Sequence, residues 1–108
     1  MRKRPWGYFE TLSKNRKCTV KIITLVGGGR LSLQRHKRRE EVWIALDPGL
    51  TFEIEGKKIK PPIGKRFLIS KNVVHRASSG KKARILEISF GHFDEEDIER
   101  IEDDYGRA

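Results

Sequence analysis

Four side chains that can bind a metal fall into two stretches of this chain. Gln34 and His36 are one residue apart, and in an extended strand that spacing puts both on the same face. Glu41 follows after the polar run Lys37, Arg38, Arg39 and Glu40, and a turn or bulge there returns its carboxylate to that side. His75 stands far downstream, on a separate strand-like stretch. An amide oxygen, two imidazoles and a carboxylate converging inside one shell make a mixed nitrogen/oxygen site for a single divalent metal ion. Zinc is the first expectation, and manganese, cobalt, iron or nickel accept the same donors. Taken singly, each histidine reads more simply as a hydrogen-bonded or surface residue. The metal expectation rests on the set.

Such a site needs a β scaffold, and the pattern around it supplies one. Val20 to Val26 is rich in β-branched residues, and Leu31 to Gln34 alternates apolar with polar. Val42 to Leu46 runs into the turn residues Asp47, Pro48 and Gly49, and Thr51 to Ile54 meets Lys57 to Ile59 through Glu55-Gly56 as a hairpin. Pro61 and Pro62 interrupt pairing. Arg66 to Ile69, Val73 to Arg76 and Ala83 to Phe90 read as further strands, with turns at Gly27 to Gly29 and at Ser78 to Gly80. Closely spaced short strands without intervening helices predict a small all-β antiparallel sandwich or barrel. With 108 residues and no linker or repeat, residues 1–108 read as one domain.

The C-terminal end changes character. Asp94 is placed to cap a helix, with Glu95, Glu96 and Asp97 near the positive end of its dipole. Ile98, Ile101 and Tyr105 then fall on one apolar stripe, and Gly106 can end the helix. The expectation is a short acidic helix over residues 93–106, docked on the barrel.

The formal net charge is +9, from 24 basic and 15 acidic residues. Eight acidic and two basic residues lie from His92 onward, so the body before them carries 22 basic against 7 acidic. That body attracts anions such as a phosphorylated small molecule or nucleic acid. The scattered basic residues, without zinc-finger spacing or an RNA-binding aromatic signature, make nucleic acid the weakest of the candidate partners. A solvated, heat-adapted surface explains the same charge. The apolar runs, about five residues long, are far short of the roughly 20 a membrane helix needs. The single Cys18 and a start without an apolar signal stretch point to the cytoplasm.

The framing of the candidate ligands narrows the reading. Gly28, Gln34, His36 and Glu41 follow the first cupin motif, with Gln34 in the place of its first histidine. Gly64, Ser70, Asn72, His75 and Ser79 follow the second, with Ser70 for proline, Asn72 for glycine and Ser79 for asparagine. Three further stretches are Arg4-Pro5-Trp6-Gly7, Leu31 to Trp43 and Asp97-Ile98-x-Arg100 with Asp103-Asp104-Tyr105-Gly106-Arg107. From Arg4 to Arg107 the chain resembles the type II mannose-6-phosphate isomerase cupin. The same module forms the C-terminal part of bifunctional mannose-1-phosphate guanylyltransferase/isomerases. Lys37, Arg38 and Val42 stand where the family has histidines, and Ser89 where it commonly has glutamine.

That resemblance implies a small cupin (a double-stranded β-helix, or jelly roll) and a homodimer. It also implies interconversion of mannose 6-phosphate and fructose 6-phosphate through an enediol. The reaction needs a Lewis acid, a base near the carbon acid and cations for the phosphate. Gln34, His36, Glu41 and His75 are the expected metal ligands. Glu87, in the apolar run Ile85 to Ile88, is the expected base, because burial raises a carboxyl's pKa; an outward carboxylate paired with a lysine is the equally weighted alternative. Arg39 is the first choice for the phosphate, followed by Arg4 and Arg107. Trp6 and Trp43 are expected in core packing. A non-catalytic metal-binding cupin that recognises a sugar phosphate or sugar nucleotide is the competing class.

Overall fold

The computed structural model describes residues 2–108, and among them there are eleven strands and no helix. In chain order the strands are β1 (Arg2–Arg4), β2 (Gly7–Phe9), β3 (Cys18–Leu25), β4 (Leu33–Arg35), β5 (Arg39–Ala45), β6 (Leu50–Ile54), β7 (Lys57–Ile59), β8 (Arg66–Ile69), β9 (His75–Ser79), β10 (Ala83–Gly91) and β11 (Glu99–Glu102). Since no helix occurs among the described residues, none is long and apolar enough to cross a membrane.

Two antiparallel sheets make the body, one ordered β3-β10-β5-β8 and the other β11-β4-β9-β6-β7. The inward rows follow from the two-residue strand period. Across the first sheet Ile85 lies opposite Ile23 and Ala45, while Trp43 lies opposite Phe67. Across the second, Phe52 lies opposite Ala77 and Ile59. The two rows meet edge to face where the Trp43 and Phe52 rings stand 5.1 Å apart. Leu25, Trp43, Ala45, Leu50, Phe52, Ile69, Ala77, Ala83 and Ile85 form the buried core. The β6–β7 turn carries positive φ at Glu55 (52°) and Gly56 (78°), as a two-residue hairpin turn requires.

The expected helix over residues 93–106 is absent. Asp94 closes a tight turn instead: its carboxylate accepts from the Glu96 N–H at 2.9 Å and its carbonyl from the Asp97 N–H at 3.0 Å. The chain then runs as β11 alongside β4, pairing Glu99 with Arg35 and Arg100 with Gln34. Without it β4 would present a row of unpaired backbone groups, and covering that edge outweighs weak local helix preference. Ile101 and Tyr105 are consequently exposed and form no docking stripe. Trp6 also departs from expectation. It stays 72% exposed on the β1–β2 hairpin, stacked on Phe9. Ser78 and Ser79, read as a turn, complete β9.

Candidate metal centre

The core stops short of one end of the barrel, and the inward rows there become polar. On the first sheet Glu87 lies opposite Lys21 and Trp43, and Ser89 opposite Glu41. On the second, Gln34 of β4 lies directly opposite His75 of β9. His36, just past β4, completes the group. His36, Glu41 and His75 are each at most 3% exposed, and one candidate ligand atom from each falls within 4.8 Å of the others. His36 and Glu41 border a cup of about 210 Å³, also lined by Gln34, Arg39, Glu87 and Glu95. A wider hollow of about 490 Å³ beside Lys17, Cys18 and His92 lies apart from these ligands.

The chain between the two motifs explains why the ligands converge. Asn72 adopts a positive φ of 65°, a conformation asparagine tolerates almost as well as the glycine it replaces. Its N–H donates to the His36 carbonyl at 2.7 Å, which ties the second motif to the first. Lys37 and Arg38 contribute backbone rather than side chains: their N–H groups donate to the Asp97 carboxylate at 3.0 and 2.9 Å.

Both imidazoles are oriented through their far nitrogen. His36 Nδ1 lies 2.7 Å from the Asp97 carbonyl, and His75 Nδ1 lies 2.8 Å from the Val73 carbonyl. A carbonyl only accepts, so each Nδ1 carries the proton and each Nε2 turns a lone pair inward. Glu41 Oε1 lies 3.6 Å from His36 Nε2 and 3.4 Å from His75 Nε2. Both Glu41 Oε1 and His75 Nε2 are buried without a hydrogen-bond partner. Orphaned acceptors facing each other, on rings already held by carbonyls, are the arrangement a divalent metal satisfies. The donor set therefore fits a metal. Gln34 adds an amide whose nitrogen lies 3.5 Å from His36 Nε2 while its oxygen accepts from Ser32 Oγ at 2.6 Å. The two ends of an amide exchange by a half-turn, so the same side chain can present oxygen to the centre.

Two carboxylates share this interior and are driven apart. Burial pushes Glu41 upward, but the facing His75 and His36 rings and the Arg39 guanidinium outweigh it and hold the carboxyl at about 2. Glu87 is pushed up to about 7 by burial, then by the neighbouring Glu41. Trp43 Nε1 donates to Glu87 Oε2 at 3.2 Å and opposes that rise. Glu87 faces inward and is 5% exposed, so it is no outward surface carboxylate. His36 is shifted down, chiefly by burial.

The arginines divide. Arg39 is buried, with Nε 3.2 Å from Glu41 Oε2, Nη1 donating to the Asp94 carbonyl at 2.9 Å and Nη2 3.4 Å from His36 Nε2. Arg4 lies on the exposed hairpin with its guanidinium over Phe9, and Arg107 is paired with Asp103. Neither lines the cup. Two cations that do line it, Lys21 and Arg100, were not expected from the sequence as site residues. Lys21 had a legible signal, since it alternates with Val20 and Ile22 in step with the inward Ile23 and Leu25. Arg100 stood in the terminal motif Asp97-Ile98-x-Arg100, but reading its strand as helix hid the side it faces.

Fold and site together define a cupin. A solved cupin-superfamily sugar phosphate isomerase from Silicibacter pomeroyi has this fold with a TM-score of 0.63 at 12% identity, covering 69% of this chain and 51% of that one. Residues 2–103 match the family described as "Mannose-6-phosphate isomerase C-terminal", and the chain belongs to that family. It is 37% identical to the alginate biosynthesis protein AlgA of Pseudomonas aeruginosa over 97% of its length. It is 31% identical to a mannose-1-phosphate guanylyltransferase of Klebsiella pneumoniae over the same share. It spans only 22% and 23% of those two relatives, so it matches one module of larger proteins. It is a sugar-phosphate-isomerase-related cupin module.

Proposed function

We propose that this module interconverts mannose 6-phosphate and fructose 6-phosphate with one divalent metal held by His36, Glu41, His75 and Gln34. The observation that carries the reading is the inward pairing of the orphaned Glu41 Oε1 and His75 Nε2 next to a second carboxyl, Glu87, held near neutrality. When bound, the metal supplies Lewis-acid stabilisation of the oxyanion that develops on the substrate. Glu87 removes the proton from C2 of the aldose and returns it at C1 of the ketose, while the C2 hydroxyl proton passes to the C1 oxygen, so no atom is gained or lost. A carboxyl near 7 suits both halves of that exchange, because it accepts and releases a proton at comparable cost. Ser89, whose hydroxyl lies 3.2 Å from Glu87 Oε1, and Trp43 on the other oxygen keep the carboxyl aimed. Arg39 holds Glu41 in the ionised form that metal binding requires.

The experiment is incubation of the purified chain with mannose 6-phosphate and added zinc, manganese or cobalt. Fructose 6-phosphate should form, and Glu87→Gln should lower kcat about 100-fold or more while metal uptake is retained. Failure with every metal removes the reading. Thermal stabilisation by the sugar phosphate without turnover selects the non-catalytic binding module instead. A cytoplasmic homodimer belongs to the same reading, and a solution mass of one chain across the micromolar range counts against the dimer.

A further inference from the structure

Lys21 and Arg100 line the cup together with Arg39, Glu41, Glu87 and Glu95, and Lys21 offsets part of the rise of Glu87. Among the described residues neither forms an ion pair, whereas Arg39 is held by Glu41 and by the Asp94 carbonyl. Lys21 comes from β3 of the four-stranded sheet, opposite Glu87, and its ammonium lies 4.0 Å over the Phe93 ring. Arg100 comes from β11 of the five-stranded sheet, opposite Gln34. Its Nε is buried and has no hydrogen-bond partner. A buried guanidinium N–H left without an acceptor is costly, and an incoming anion removes that cost. The two cations therefore stand on opposite sheets, each beside a residue of the site, with free donors for the same small space.

We propose that Lys21 and Arg100 are the phosphate subsite of the cup, taking the phosphoryl group of a hexose phosphate while its C1–C2 end reaches His36, Glu41 and His75. The inference rests on the isomerase reading for the identity of the sugar, and on the two unpaired cations for the anion. A phosphoryl group offers several acceptor oxygens, enough for an ammonium and a guanidinium together. Arg39, expected from the sequence in this role, has its donors committed to Glu41 and Asp94 and acts as a positioning residue.

The test is calorimetric titration of the metal-free full chain with mannose 6-phosphate, inorganic phosphate and mannose. Wild type, Lys21→Met, Arg100→Met and Arg100→Lys are compared, with metal uptake and circular dichroism as controls. Each methionine variant should weaken binding of both phosphate ligands at least tenfold with metal uptake unchanged, and Arg100→Lys should recover part of the loss. Unchanged affinity for mannose 6-phosphate in folded Lys21→Met and Arg100→Met overturns the subsite. So does a wild type that does not distinguish mannose 6-phosphate from mannose. If Arg100→Met does not fold, the half-buried Lys21 position decides alone. Phosphate binding lost in both variants, in a chain that turns over no sugar with any metal, keeps the subsite and removes the isomerase reading. Turnover with unchanged KM in both variants does the reverse.

Discussion

Glu41 and Glu87 are joined by one hydroxyl, the Ser89 Oγ lying 3.3 Å from Glu41 Oε2 and 3.2 Å from Glu87 Oε1. Their protonation is nevertheless driven in opposite directions. Glu41 also faces two imidazoles and a guanidinium, while Glu87 faces Glu41 in an interior that shields it from water. One carboxylate is thereby kept ionised for a metal and the other kept available for a proton.

The first prediction concerns the metal. The wild-type chain should bind one divalent ion, and His36→Ala or His75→Ala should reduce that below about a tenth of an equivalent, because two of the three buried donors then remain. Metal analysis after dialysis checks it. Full occupancy in both variants would place the metal elsewhere.

A second prediction follows the hydrogen bonds behind those ligands. Asp97 accepts from the Lys37 and Arg38 N–H groups, and its carbonyl orients His36. Asp97→Ala should lower stability by about 1–3 kcal/mol and weaken metal affinity roughly 10- to 100-fold. Urea unfolding and competition with a chelating dye read the two effects separately.

The pH dependence of the metal-free protein gives a third. The folded pKa of Glu87 is raised from 4.5 to about 7, so the folded state binds the proton more tightly than the unfolded chain. Its contribution is fully present below about 4.5 and is lost as pH rises through about 7. Glu87→Gln, which mimics the protonated form, should match wild type near the lower limit and exceed it above neutrality by roughly 1–3 kcal/mol. Parallel stability curves for the two proteins would show that Glu87 is not shifted.

Trp43 supports the core and the base together, which allows a separation. Trp43→Ala should cost about 3–5 kcal/mol, because the ring is 0% exposed and packs on Phe52 and His75. Trp43→Phe keeps most of that packing but removes the N–H that opposes the rise of Glu87. The midpoint on the acid side of the pH–rate profile should therefore move upward. A fixed midpoint would mean that this hydrogen bond does not tune the carboxyl.

Most strands were legible because their signal is local. Alternation, β-branched runs and turn residues such as Glu55-Gly56 act within a few positions, and the observed strands follow them closely. The cluster of His36, Glu41 and His75 was anticipated from the framing of its two stretches, and the structure brings these three side chains together. The segment from Phe93 to Gly106 was not legible. Its composition suits a helix end, but helices this short have little stability of their own, and the open edge of β4 offered backbone partners that no local pattern announces.

By itself, then, the sequence determined that this is a small all-β chain carrying amide, imidazole and carboxylate groups on strand faces. Only the tertiary structure decided which charges meet inside the cup. Arg39 is taken up by Glu41, while Lys21 and Arg100 arrive unpaired from opposite sheets. Strand period sets which way a side chain points, but long-range pairing sets what it meets. Burial raises both carboxyls there, and the neighbours of Glu41 outweigh it while those of Glu87 do not, so the two are driven apart.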